Sequence, residues 1–226
     1  MKFAIIGYGK MGHAIEQLAL QRGHSVACVI DADEQWAYLE SKLHECDVAV
    51  EFTMPSVAAR NVSRLLHLGL PTVCGTTGWQ GQFDAVATQC KELDGALFTA
   101  SNFSVGMNMM FLLNERLAQL MVGRTEYKAD ITEVHHVHKL DAPSGTALVL
   151  QQGIRDYLPE QPVPITSVRE GEVPGIHTVR YACEDDTITL SHEAHSRRGL
   201  AMGAVLAAEF LVGRRGLFTM RDLLAC

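Results

Sequence analysis

Apolar positions fall into two regimes along this chain. Over the first hundred residues, short unbroken apolar runs alternate with segments whose apolar residues recur every three to four positions. The runs at 2–6, 25–30, 47–52, 72–74 and 96–100 predict strands, and the periodic segments at 10–22, 33–43, 55–68 and 80–93 predict helices. A strand without polar alternation is buried on both faces, and regular alternation with helices implies parallel, right-handed crossovers. The fold expected for this half is α/β, a doubly wound parallel sheet of the Rossmann type.

Beyond residue 100 the pattern changes. Residues 101–104 read as a polar hinge, and 104–122 as a methionine-rich amphipathic helix suited to core packing. Strand-like runs recur at 126–138, 165–169, 176–182 and 187–192, interrupted by a helix at 143–157 that a proline opens. These elements predict a second, α+β domain with an open mixed sheet. The Ala- and Leu-rich helices expected at 199–212 and 219–224 need a core to cover, and are expected to return to the first domain.

Local motifs add function to this frame. Gly7-Tyr8-Gly9-Lys10-Met11-Gly12 sits between the first strand and first helix, where a dinucleotide fingerprint belongs. Gly7 permits the tight turn, Gly9 the approach of a pyrophosphate, and Gly12 close packing of helix on strand. Asp31 ends the second strand, 19 residues after Gly12, where a carboxylate accepts bonds from an adenosine ribose. The same charge repels the extra phosphate of NADPH, and Lys10 is the one nearby cation in sequence. NADH is therefore the preferred cofactor, with NADPH usable. Turns at 52–55 and 75–78 follow strands three and four, on the side where such sheets bind ligands.

The chain has 226 residues, 47% of them hydrophobic and 20% charged, with a net charge of −7. That charge disfavours nucleic acid as a partner, so local cations must capture any acidic substrate. Six cysteines, at 28, 46, 74, 90, 183 and 226, form no C-x-x-C pair and read as thiols of a reducing compartment. No apolar run nears the roughly 20 residues that span a bilayer. The expectation is a cytoplasmic protein without a membrane partner.

The densest chemistry lies in Glu133-Val-His-His-Val-His-Lys-Leu-Asp-Ala-Pro-Ser-Gly-Thr-Ala-Leu148. Imidazoles supply protons near neutral pH, Lys139 a fixed positive charge, and the first helical turn at Ser144-Gly145-Thr146 unpaired N–H groups for an anion. Together they describe a site for a small acidic molecule. On a strand, residues 133 and 135 face one way while 136 and 138 face the other. A metal site made of Glu133, His135, His136 and His138 is therefore split between faces, and no bound metal is expected. Asp141 reads equally as a helix cap or a catalytic group.

The segment 133–148 closely resembles the signature of the 4-hydroxy-tetrahydrodipicolinate reductase (dihydrodipicolinate reductase) family. The resemblance extends to Gly7–Gly12, Phe52-Thr53, Gly75-Thr-Thr-Gly78, Ala100-Ser-Asn-Phe-Ser-Val-Gly106, Arg169-Glu-Gly171 with Gly175-x-His177, and His192-x-Ala-x-Ser-Arg197. It implies reduction of a cyclic imine dicarboxylate by hydride transfer from NADH or NADPH in lysine/diaminopimelate biosynthesis, by a homotetramer built through second-domain sheets. It implies His135 as proton donor with Lys139 beside it in the catalytic role. His136, Ser144, Gly145, Thr146 and Arg197 are implied at the substrate. The cofactor is met by Gly7, Gly9, Lys10, Met11, Gly12, Asp31, Phe52 and Thr53, while Gly75, Thr76, Thr77, Ala100, Ser101, Asn102 and Phe103 hold its nicotinamide end. The expected division is a dinucleotide-binding domain at 1–102, completed by 199–226, and a substrate-binding and oligomerisation domain at 103–198. The chain departs from the family in a shorter link from Asp31 to Asp47 and in Val137, where a polar residue is common. The competing readings are a related amino- or imino-acid reductase and a non-catalytic nucleotide-binding regulatory module.

Overall fold

The computed structural model describes residues 1–224; Ala225 and Cys226, the last two positions of the C-terminal segment expected at 199–226, lie outside the described residues. The chain divides into two compact units, Met1–Ser104 with the segment from Arg198 onward, and Val105–Arg197.

Six strands carry the first unit: β1 (Lys2–Ile6), β2 (Ser25–Ile30), β3 (Val48–Glu51), β4 (Thr72–Cys74), β5 (Ala96–Thr99) and a late β10 (Gly216–Phe218). Their order is β10-β5-β4-β3-β1-β2, and every neighbouring pair is parallel. The crossovers are α1 (Lys10–Gln21), α2 (Gln35–Leu43), α3 (Pro55–His67) and α4 (Phe83–Glu92). Helices α7 (Arg198–Leu211) and α8 (Met220–Leu224) belong to the same unit. Small residues let α7 lie close: Ala201, Gly203, Ala204, Ala207 and Ala208 are all buried where it meets α1, β3, β4 and β5. The centre of the sheet is buried throughout, as the unbroken apolar runs require; all four residues of β3 are covered. Each such Val or Ile contributes about 1.5–3 kcal/mol on burial.

The strand order reverses at β1, which lies between β2 and β3. Loops leaving the carboxyl ends of β1 and β3 therefore border the crevice in which such sheets bind ligands. Two local features differ from the sequence pattern. Strand β10, only three residues long, has too few positions to carry a period and lies between the helices expected at 199–212 and 219–224. The helix expected at 80–93 opens as a 3-10 turn at Gln80–Gln82 before α4 begins.

The second unit contains α5 (Val105–Leu120), β6 (Lys128–His135), α6 (Gly145–Arg155), β7 (Ile165–Arg169), β8 (Ile176–Ala182) and β9 (Thr187–Glu193). Its sheet runs β7-β6-β8-β9, with β6 and β7 parallel and the other pairs antiparallel. Here burial alternates: Ala129, Ile131, Glu133 and His135 of β6 point inward. The inward face packs with Met107, Met110, Leu150, Ile154, Val179 and Tyr181 in one core. A sheet covered on one side produces this period-two pattern.

Strand β6 stops at His135, three residues short of the expected end, because 136–139 form a turn closed by Lys139 N–H donating to His136 O at 3.1 Å. The following helix starts at Gly145, and Pro143 does not open it. Ser144 is the N-cap: its Oγ accepts from Ala147 N at 3.2 Å, the bond that a serine cap supplies.

Candidate active site

In the first unit the glycine turn is shaped by close backbone approach. Gly7 has φ +89°, and a Cβ there would lie 2.2 Å from Phe52 O, so only glycine fits. A Cβ at Gly12 would lie 2.3 Å from Gly7 O, whereas one at Gly9 would meet no atom within 4 Å. The start of α1 thus has an open side at Gly9, and no side chain caps its N–H groups. Such a helix start can receive an anion of the size of a pyrophosphate. Lys10 is exposed and Met11 half-buried on the first turn. Asp31 is exposed at the end of β2 and accepts Tyr8 N–H on Oδ1 at 2.7 Å, which fixes its carboxylate beside the turn. These residues fit a dinucleotide.

The loops expected at the nicotinamide are tied together by a buried carboxyl group that sequence reasoning missed. Glu51 ends β3 fully buried. It accepts hydrogen bonds from Thr53 Oγ1, from Thr76 Oγ1 at 2.7 Å and from the Cys74 thiol at 3.1 Å. Thr53 N in turn donates to Thr76 Oγ1 at 2.8 Å. Burial, and then the Glu51 carboxyl, push the Cys74 thiol far above its ordinary range, so it stays a donor. The Phe52 ring covers Gly75, where a Cβ would come within 2.1 Å of it, and contacts Phe103 at 5.6 Å between centroids. Asn102 Oδ1 accepts Ser104 N–H at 2.9 Å. Thr77 and Ser101 are exposed, and Ala100 is half-buried.

A difference from the sequence reading appears beside Asp31. Lys10 is the one nearby cation in sequence, yet in space Arg60 and Arg64 of α3 both reach Asp33 Oδ1, at 3.1 and 2.8 Å. Helix charges of this kind read as a solvated face until the fold brings a second element to them.

In the second unit Glu133 and His135 share the inward face of β6 and are hydrogen-bonded through His135 Nδ1 and Glu133 Oε2. The other carboxylate oxygen accepts from Arg169 at 2.9 Å, across the β6–β7 pair that sets His135 opposite Arg169. Burial pushes the Glu133 carboxyl up, but hydrogen bonds from Ser167 and Arg169 and the adjacent His135 outweigh it, and the net direction is down. His135 is shifted below its ordinary value, first by burial, with Glu133 opposing. An ionised carboxylate only accepts, so Nδ1 carries the hydrogen of this bond and Nε2 remains for proton exchange. A Cβ at Gly175 would lie 3.1 Å from that Nε2, so the glycine leaves it uncovered.

His177 stands opposite Glu133 on β8, its ring centroid 5.0 Å from that of His135. Its Nε2 lies 3.2 Å from Ser144 Oγ. Burial, and then His135, bring its pKa down to about 4, so at neutral pH Nε2 accepts the serine hydroxyl. The single hydrogen of the Ser144 hydroxyl is thereby given to His177, and the oxygen accepts from the first turn of α6. What remains on the helix start for an anion is the N–H pair of Gly145 and Thr146, and the half-buried Thr146 side chain.

Arg169 also organises the loop that carries Lys139, donating to Lys139 O at 3.3 Å and Asp141 O at 2.6 Å. Lys139 pairs with Asp141 at 2.8 Å, so Asp141 partners a lysine and Ser144 provides the cap. His136 faces away from Glu133, and its Nδ1 is buried without a hydrogen-bond partner. His138 is exposed and pairs with Glu172, and Arg197 is exposed in the segment after β9.

The ligand atoms of Glu133, His135 and His177 lie within 4.8 Å of one another, a different trio from the metal set read in the sequence. Both carboxylate oxygens of Glu133 are already bonded, one of them to a guanidinium, which is the donor set of a proton network. Glu133, Arg169 and His177 stand in the sequence motifs, but their connection depends on strand pairing.

Residues 1–103 match the model of the dihydrodipicolinate reductase N-terminus, and 106–224 that of its C-terminus. The chain belongs to the dihydrodipicolinate reductase family. A relative named 4-hydroxy-tetrahydrodipicolinate reductase from Christiangramia forsetii is 42% identical over 236 residues, covering 100% of this chain and 98% of its own. Another of that name, from Akkermansia muciniphila, is 34% identical, covering 96% of this chain and 94% of its own. The dipicolinate-bound dihydrodipicolinate reductase of Paenisporosarcina sp. TG-14 shares the fold, with a TM-score of 0.80, 21% identity and 98% of each chain covered. The reductase resemblance read from the motifs is borne out by these matches, as is the fold class. The chain is an NAD(P)H-dependent oxidoreductase.

Proposed function

We propose that this enzyme reduces 4-hydroxy-tetrahydrodipicolinate to tetrahydrodipicolinate in lysine/diaminopimelate biosynthesis, with His135 as proton donor. The observation that carries the assignment is the buried Glu133–His135–Arg169 network within a family of reductases. The 4-hydroxyl and a hydrogen of the adjacent ring carbon leave as water, which makes the ring conjugated, and the reduced nicotinamide, when bound, would supply a hydride to the unsaturated carbon so formed. The electron pair displaced onto the neighbouring ring atom takes a proton from His135 Nε2, and imidazolium becomes imidazole. Glu133 holds the ring through Nδ1 and favours the protonated state. Arg169 and Lys139 oppose that protonation in the free enzyme. A bound dianion offsets both cations, which ties proton loading to substrate capture.

One carboxylate is gripped by the Gly145 and Thr146 N–H groups and the Thr146 hydroxyl, the other by Lys139, with His136 Nδ1 as a further partner. Ser144 acts through the cap and His177. Arg197 supplies positive charge at the rim. On the first unit the glycine turn and uncapped α1 receive the pyrophosphate, and the loops tied by Glu51 receive the nicotinamide. NADH is preferred because the Asp31 carboxylate accepts ribose hydroxyls and repels a phosphate. The enzyme works in the cytoplasm as a homotetramer, assembled on the second-unit sheet, whose edge strand β9 is largely exposed.

The test is a coupled assay. The preceding synthase makes the unstable substrate from pyruvate and aspartate semialdehyde while nicotinamide absorbance is followed. Oxidation of NADH that depends on the synthase is expected. A chain that binds NADH but never oxidises it under these conditions is a regulatory module instead.

A further inference from the structure

Asp33 lies two residues beyond Asp31, on the loop from β2 to α2. Its single oxygen Oδ1 is shared by Arg60 at 3.1 Å and Arg64 at 2.8 Å, one helical turn apart on α3. Arg64 also lies over the Trp36 ring, 5.1 Å from its centroid, which holds the guanidinium in place. Two planar guanidiniums converging on one anionic oxygen form the donor set that recognises phosphate. Asp31, fixed by Tyr8 N–H, marks where the ribose hydroxyls of a bound dinucleotide are met.

We propose that Arg60 and Arg64 form a latent seat for the 2′-phosphate of NADPH, kept filled by the Asp33 carboxylate, so that Asp33 helps set the preference for NADH. The inference rests on the dinucleotide reading of the first unit. Side-chain exposure of 40–51% across the three residues makes the ion pairs weak and readily exchanged. The Arg64 hydrogen bond holds the Asp33 carboxyl below its usual range, so it remains an anion wherever the enzyme is active. An incoming phosphate must displace that anion and then sit beside it. Neutralising Asp33 removes both obstacles and leaves two arginines available.

The test measures binding of NADH and NADPH to the full chain by fluorescence titration at one ionic strength, without a second substrate. The variants are Asp33→Asn and the triple variant Asp33→Asn/Arg60→Gln/Arg64→Gln. All three positions are on the surface, and a thermal melt checks each fold. Asp33→Asn is expected to tighten NADPH by about tenfold, the scale of a hydrogen bond to a charged group, with NADH changed by less than about twofold. The triple variant is expected to lose the gain. Unchanged NADPH affinity, an equal shift for both cofactors, or a gain that survives without the arginines would overturn the proposal. A wild-type chain that binds neither cofactor would instead overturn the dinucleotide reading, and this inference with it.

Discussion

Among the described residues, each unit of this protein buries one side-chain carboxyl group completely, and the two are held in opposite ways. Glu51 is surrounded by neutral donors, two threonine hydroxyls and a thiol, and forms no ion pair among the described residues. Glu133 sits between an arginine and a histidine. A buried carboxyl costs several kcal/mol unless its hydrogen-bonding capacity is met, so neither is an accident of packing. The neutral donors around Glu51 tie Thr53 and Thr76 in place. Glu133 is bonded to an imidazole, a group able to exchange a proton, and its charge favours that group's protonated form against burial. One carboxyl positions, and the other takes part in acid–base chemistry.

The largest effect expected from breaking this contrast is at the charged network. His135→Ala should lower turnover by about 10²- to 10⁴-fold, the contribution of a positioned general acid, with the NADH dissociation constant little changed. Wild-type turnover in that variant removes His135 from the mechanism. Thr146→Val keeps the side-chain shape while deleting a hydroxyl at the proposed carboxylate site. A hydrogen bond to a charged group contributes about 1.5–3 kcal/mol, so the substrate constant should rise roughly tenfold or more. If melting collapses while affinity per folded molecule is normal, Thr146 is structural.

A smaller effect separates the networks by pH. His177 is neutral when folded, with its pKa brought down from 6.5 to about 4. The unfolded chain takes up a proton below about 6.5 and the folded chain only near 4. Stability is therefore complete above 6.5, falls as pH drops from 6.5 towards 4, and levels off below. The loss reaches at most about 3 kcal/mol. Urea unfolding at pH 7.5 and 4.5 should show this slope for the second unit in wild type and a flatter one in His177→Gln. An unchanged slope would mean that other groups carry it.

Much of this contrast was legible in the chain. Unbroken apolar runs alternating with helices marked the first sheet, a change of pattern after residue 100 marked the second, and the spacing of 133 and 135 put both side chains on one face. Strand β10 escaped because three residues carry no period. Arg169 and His177 escaped as members of the network because their partners are fixed by register, Arg169 opposite His135 and His177 opposite Glu133. Register between strands thirty or more residues apart follows from sheet order, which local pattern does not specify. Glu51 was hidden by its setting: a charged residue at the end of an apolar run reads as the strand's exposed end. Arg60 and Arg64 look like any charged helix face until the loop from β2 to α2 brings Asp33 to them.

The most direct test of the division between positioning and proton chemistry is a parallel measurement of kcat and the NADH dissociation constant for Glu133→Gln and Glu51→Gln. Both substitutions keep the side-chain size and remove a carboxylate. Glu133→Gln should lower kcat by about 10- to 100-fold, within what loss of the general acid itself would cost, and leave NADH binding unchanged. Glu51→Gln should weaken NADH by about tenfold, since the amide sets one more donor against the two threonines, while kcat at saturating cofactor stays within roughly twofold. The opposite pattern, with turnover lost at Glu51 and cofactor affinity lost at Glu133, would contradict the account.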